Sequence, residues 1–83
     1  MDWTLLVTKP AKKELARTPD REQARIVRAL QALEADPFSG DIKRLKPSGW
    51  CRRGGEYRIF YDLYIGERRI VVTAITRRTS TTY

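Results

Sequence analysis

The chain has 83 residues and a mass of 9.7 kDa, with 17 Lys/Arg against 10 Asp/Glu for a formal charge of +7 and a sequence pI near 10.1. A chain this short buries only roughly 60–65% of the surface its unfolded form exposes, which predicts one domain over residues 1–83 and no deep cofactor cleft. One cysteine and no histidine exclude an internal disulfide, a Cys/His zinc site, a Ser–His–Asp triad and a histidine-pair ribonuclease.

In chain order, WTLLV (residues 3–7) is rich in β-formers and reads as a short strand. Thr8 and Pro10 mark the start of a first helix, with Thr8 as N-cap and Ala11 and Leu15 on its apolar side. Thr18-Pro19 is a second start signal, because proline suits the first helical position after a threonine cap. The helix that follows runs to about Ala35 and buries Ile26, Val27, Leu30 and Leu33 as one stripe. Asp36-Pro37 ends it. The cations of the two helices are balanced by nearby acids and read as a solvated face.

Residues 37–49 (PFSGDIKRLKPSG) are predicted to form a loop, with Ile42 and Leu45 tucked beneath it. A three-strand meander follows over residues 50–53, 56–64 and 69–76, with Gly54-Gly55 as a two-residue hairpin turn. The expected class is α+β, of order β-α-α-β-β-β, with a helical hairpin packed on one face of a small antiparallel sheet.

The turns set a register. A two-residue Gly54-Gly55 loop pairs Arg53 with Glu56 and Cys51 with Arg58. A turn after Tyr64 pairs Tyr64 with Arg69, which carries Ile75 opposite Arg58 and Arg77 opposite Glu56. Because side chains alternate faces, Tyr57, Ile59, Tyr61, Leu63, Ile70, Val72 and Ala74 share the core face. Arg53, Arg58 and Arg77 then converge around Glu56 on the other face, a cluster that a phosphate fits well. Phe60, Tyr64, Val71 and Ile75 give that face an apolar component of the kind that marks a protein partner.

Charge is unevenly spread. Residues 1–36 carry seven cationic and six acidic side chains, whereas residues 37–83 carry ten and four. A localised basic field points to a polyanionic partner. No basic amphipathic helix lies in that half, so a membrane partner is not expected. With no signal sequence and no apolar run of transmembrane length, a cytoplasmic location is expected.

The β-α-α opening, the segment LKPSGWCRRGGEYRIFYDL (residues 45–63) and the closing ITRRTSTTY (residues 75–83) resemble the RelE/ParE superfamily of toxins from type II toxin–antitoxin systems. The resemblance covers nearly the whole chain. It implies two helices on an antiparallel sheet and a cognate antitoxin as partner. The RelE branch cleaves mRNA in the ribosomal A site, whereas the ParE branch poisons DNA gyrase and is not a nuclease.

Carried over by position, the resemblance assigns catalytic roles to Arg53, Arg58, Arg77 (or Arg78, if the tail shifts by one) and Tyr83. If the ribosome holds the mRNA for such chemistry, Lys43, Arg44, Lys46, Arg52 and Arg78 are expected to contact rRNA or mRNA phosphates in a salt-dependent way. Cys51 stands where well-known RelE members have lysine. Its thiol is read either as activated by Arg58 or as a small half-buried filler. The expectation is therefore a metal-independent, cofactor-free, ribosome-dependent mRNA endonuclease that inhibits translation. The alternatives are a gyrase inhibitor and a decayed basic nucleic-acid-binding module.

Overall fold

The computed structural model describes residues 3–54 and 56–77. Strand β1 (Thr4–Val7) leads into helix α1 (Lys9–Ala16) and helix α2 (Asp20–Ala35). Strands β2 (Ile42–Arg44), β3 (Gly49–Gly54), β4 (Tyr57–Tyr64) and β5 (Arg69–Arg77) follow, with a single 3-10 turn at Ile65–Glu67 between the last two. The five strands form one mixed sheet in the order β1-β5-β4-β3-β2. Both helices pack on it, giving the α+β class expected, with two refinements. The sheet gains β2, and β1 runs parallel to β5 rather than antiparallel.

Alternation in β4 builds the core. Tyr57, Ile59, Tyr61 and Leu63 are buried, and they meet Ile70, Val72 and Ile75 of β5 and Ala11, Ile26, Leu30 and Leu33 of the helices. Each large aliphatic side chain buried here contributes about 1.5–3 kcal/mol. Val27, expected in the stripe, is 38% exposed. Ile26, Leu30 and Leu33 alone occupy the i, i+4, i+7 row that faces the sheet, and Val27 lies one residue round from it.

Two capping expectations change. Thr8 occupies the N-cap of α1, but its hydroxyl makes no cap bond. It lies 3.0 Å from the Val72 carbonyl and 3.2 Å from the Thr73 carbonyl, while the Thr8 amide donates to Val72 at 3.0 Å. The helix start is thus pinned to β5. Thr18 belongs to the end of α1, not the start of α2: its hydroxyl donates to the Glu14 carbonyl at 2.8 Å, and Pro19 becomes the N-cap. Gln23 donates to the Leu15 carbonyl at 2.9 Å, so two side chains add second hydrogen bonds to carbonyls in the last turn of α1.

The expected loop holds more order than turn residues suggest. Asp36 accepts the Phe38 amide at 3.0 Å, and Phe38 wedges edge-on between Trp3 and Trp50, with centroids 6.4 and 5.6 Å away. Gly40 has φ +81°, and a Cβ there would stand 2.6 Å from the Arg52 guanidinium carbon, so this turn requires glycine.

The strand register differs from expectation in two places. On β3–β4, Arg53 lies opposite Arg58 and Gly54 opposite Tyr57, so Gly54 belongs to the ladder and not, as expected, to the turn. A slip of two positions preserves faces, and Arg53 and Arg58 still share one. On β4–β5, Tyr64 pairs with Arg69 as expected, but a bulge interrupts the ladder at Phe60/Tyr61. Thr73 is the extra residue. Beyond it Ile75 lies opposite Ile59, Thr76 opposite Arg58 and Arg77 opposite Tyr57. A bulge reverses every later side chain, and so Ile75 enters the core at 3% exposure while Arg77 leaves the face of Arg58.

Candidate functional site: a cationic cleft on the open face of the sheet

The face of the sheet turned away from the helices carries two cross-strand rows. Lys43, Cys51, Phe60 and Ala74 form one. Arg53, Arg58 and Thr76 form the other, and the Arg53 amide extends it by donating to the Asp41 carbonyl at 2.9 Å. These rows enclose a cleft of about 260 Å³ lined by Asp41, Lys43, Cys51, Arg53, Arg58 and Phe60, with Leu45 at its rim. Lys43, Cys51, Arg53, Arg58 and Phe60 project from strands, whereas Asp41 and Leu45 flank β2.

The two arginines differ in their partners. Arg53 Nε bonds Asp41 Oδ2 at 3.2 Å, and both side chains remain more than half exposed. Arg58 is half-buried, and its Nε is shielded from solvent without a hydrogen-bond partner. A guanidinium is always protonated, and a buried donor left unpaired costs about 1–3 kcal/mol. An anion in the cleft supplies what Arg58 lacks. Three cations against one carboxylate make the cleft net positive.

Cys51 is 7% exposed. Burial pushes its thiol pKa above the usual value, outweighing the downward pull of Arg58 and then Arg53. The thiol is therefore a neutral filler, and the reading of a cation-activated nucleophile is corrected. Tyr61 is also unsuited to acid–base work: its hydroxyl donates to the Pro37 carbonyl at 2.9 Å, and burial raises its pKa to about 12.

The other candidate residues are dispersed. Arg77 lies on the helix-facing side at the end of β5, 3.8 Å from Glu56. The expected three-arginine convergence is thus reduced to Arg53 and Arg58, because the bulge at Thr73 turns Arg77 away. Arg52 sits on the opposite face from Arg53 and donates to the Ser39 carbonyl at 3.0 Å. Arg44 stacks 5.8 Å from the Trp50 ring centroid and donates to the Pro47 carbonyl at 3.0 Å. Lys46 lays its stem over Gly49, where a Cβ would stand 2.7 Å from it. Of the four nucleic-acid candidates among the described residues, Lys43 alone lines the cleft. Arg78 and Tyr83 lie outside the described residues.

Asp41 was not singled out from sequence. Its neighbour strand has three residues, too few to show alternation, so no pattern placed Asp41 beside Arg53. The helical arginines Arg25 and Arg28, read as solvated, line a second cleft together with Arg52 and Tyr57. No group of three or more potential metal ligands occurs among the described residues, and no helix among them is long and apolar enough to cross a membrane.

A family model described as the ParE toxin of the type II toxin–antitoxin system, parDE, matches residues 5–81. No curated protein sequence matches the chain. Several solved structures share the fold. The RelE–RelB complex of Pyrococcus horikoshii OT3 superposes with a TM-score of 0.86 at 20% identity, covering 98% of this chain and all of that one. The RelBE2 toxin–antitoxin complex of Mycobacterium tuberculosis gives 0.82 at 23% identity, covering 94% and 100%. The isolated E. coli RelE toxin gives 0.82 at 16% identity, covering 96% and 88%.

Proposed function

The chain belongs to the ParE toxin family of type II toxin–antitoxin systems, and from that premise we propose that it is a ribosome-dependent mRNA endonuclease held inactive by a cognate antitoxin. One observation carries this reading: the buried, unpartnered Arg58 Nε in a cleft shared with Lys43 and Arg53. Guanidinium forks match phosphate geometry, and fixed cations stabilise the charge that builds on a phosphorane.

In this reading Arg58 and Lys43 hold the scissile phosphate and Arg53 assists the departing 5′-oxygen. Tyr83 orients the 2′-hydroxyl or, in its phenolate form, takes its proton to become the neutral phenol. The 2′-oxygen attacks phosphorus, the bond to the 5′-oxygen breaks, and that oxygen takes a proton from solvent. Arginine cannot serve as the base, and the cleft has no histidine. Much of the rate must then come from holding the RNA in line, which is what the ribosome supplies, and free RNA is a poor substrate. Arg77, carried away from this cleft by the bulge, has no part in this reading, and Lys43 joins Arg58 in holding the phosphate.

A second reading is inhibition of DNA gyrase without cleavage. The family description and the removal of Arg77 from the cleft favour it. Induction of the wild type, Arg58→Ala and Arg58→Lys, with mRNA ends mapped on translated transcripts, separates the two. The endonuclease reading expects cleavage within codons, lost at least about 100-fold in Arg58→Ala and partly restored in Arg58→Lys. Growth arrest with intact mRNA and gyrase-linked DNA breaks supports the second reading. No growth effect from any of the three proteins leaves a basic binding module.

A further inference from the structure

The second cleft, about 320 Å³, lies between α2 and the β3–β4 hairpin, on the helix-facing side of the sheet. Arg25 and Arg28 line it from α2, Arg52, Arg53 and Gly54 from β3, and Tyr57 from β4; no carboxylate lines it among the described residues. Arg25 and Arg28 have no ion-pair partner among the described residues. Arg52 commits one nitrogen to Ser39. Tyr57 is 6% exposed, and its hydroxyl, shielded from solvent, has no hydrogen-bond partner. Buried hydroxyls in folded proteins are satisfied with few exceptions. An unpaired hydroxyl in a cleft of guanidiniums therefore marks a place for an acceptor.

We propose that this cleft is a second anion-binding site, which takes a backbone phosphate of the same nucleic-acid strand that places another phosphate in the Lys43–Arg53–Arg58 cleft. Arg53 lines both clefts, so the two sites share a wall. Gly54 stands at the turn between them with open space where a Cβ would project. A strand crossing the hairpin there places one phosphate on each side of the sheet. The repeated charge of a phosphodiester backbone suits two adjoining cationic clefts better than a single carboxylate does. Arg25 and Arg28 supply the forks, and the Tyr57 hydroxyl donates to a phosphate oxygen. This inference rests on the nucleic-acid reading above for its ligand, but not on cleavage.

The test uses the full chain, with inorganic phosphate and a short single-stranded RNA as probes. Arginine Nε–H resonances are followed in a phosphate titration, and RNA affinity is measured against salt. Phosphate is expected to shift the Arg25 and Arg28 signals saturably, in the wild type and in Arg58→Ala alike. Arg25→Gln with Arg28→Gln should weaken RNA binding at least fivefold and flatten the salt dependence by about 0.7, one phosphate's worth. Tyr57→Phe, which keeps the ring in the core, should weaken phosphate binding at least twofold with an unchanged urea midpoint. Silence of the Arg25 and Arg28 signals, or an unaltered salt slope in the double variant, overturns the proposal. So does an acidic peptide that shifts those signals while RNA does not, because the cleft is then a protein-carboxylate site. Phosphate and RNA binding there without mRNA cleavage leaves the inference standing and removes the endonuclease reading.

Discussion

Arg53 and Arg58 face each other directly across the β3–β4 ladder, and Asp41, 3.2 Å from Arg53, is the one carboxylate among the described residues that line their cleft. Cross-strand like charges cost a few tenths to about 1 kcal/mol. The fold accepts this cost on a pair whose strands it could have filled with apolar residues, and Asp41 offsets it on one side alone. On the reading proposed above, this residual charge is what an anion bound from solvent would neutralise.

Asp41 competes with that anion. Asp41→Asn is expected to tighten binding of a short RNA by up to about fivefold at low salt, since exposed pairs of this kind are worth about 0.2–1 kcal/mol. Fluorescence anisotropy measures it. Weaker binding in the variant would show that the carboxylate assists the ligand instead.

Thr76 is the residue opposite Arg58 on β5. Thr76→Arg restores a third guanidinium to the open face. RNA affinity should rise and its salt dependence steepen by about 0.7, one further phosphate contact, at a stability cost of up to about 1 kcal/mol from like charges. An unchanged salt slope would mean that bound RNA does not reach this position.

Cys51 should alkylate slowly. Its pKa is raised above the ordinary thiol value of 9.0 by burial, so the thiolate is scarce at neutral pH and iodoacetamide should react with an inflection above pH 9. Stability from the neutral thiol is complete below the unfolded-state pKa and is lost as pH climbs through the higher folded value. An inflection below pH 8 would restore the cation-activated reading.

Tyr61 follows the same sign. With its pKa raised from 10.0 to about 12, its contribution is whole below pH 10 and fades as pH rises through about 12. Absorbance at long ultraviolet wavelength should show one tyrosine ionising late. Tyr61→Phe leaves the Pro37 carbonyl without its donor and is expected to cost about 1–3 kcal/mol in urea unfolding.

Strong periodicity was the legible part of the sequence. The alternation of YRIFYDLY (β4) and the Ile26–Leu30–Leu33 row of α2 identified the core, and turn chemistry after Tyr64 fixed the Tyr64–Arg69 pair correctly. Three features gave no such signal. Strand β2 has three residues between turns. The bulge at Thr73 replaces a smooth HPHP pattern that IVVTAIT permits in either phase, since valine, threonine, alanine and isoleucine suit both faces. The Thr8 and Thr18 hydroxyls found carbonyl acceptors in β5 and α1 that sequence spacing could not place. The first two of these moved Arg77 and Asp41, and with them the composition of the cleft.

At Thr73 the strand changes phase. Its inner half stays aligned with β1, while its outer half presents whichever residues fall in step after the extra one. The facing of Ala74 to Arg77 is therefore governed by residue count more than by residue type. A codon gained or lost past Thr73 exchanges the sets wholesale, turning out the residues that now point in, while the portion of β5 that carries Ile70 and Val72 keeps its neighbours. In a lineage built on this sheet, indels reshape the chemistry of the exposed side as readily as point substitutions do.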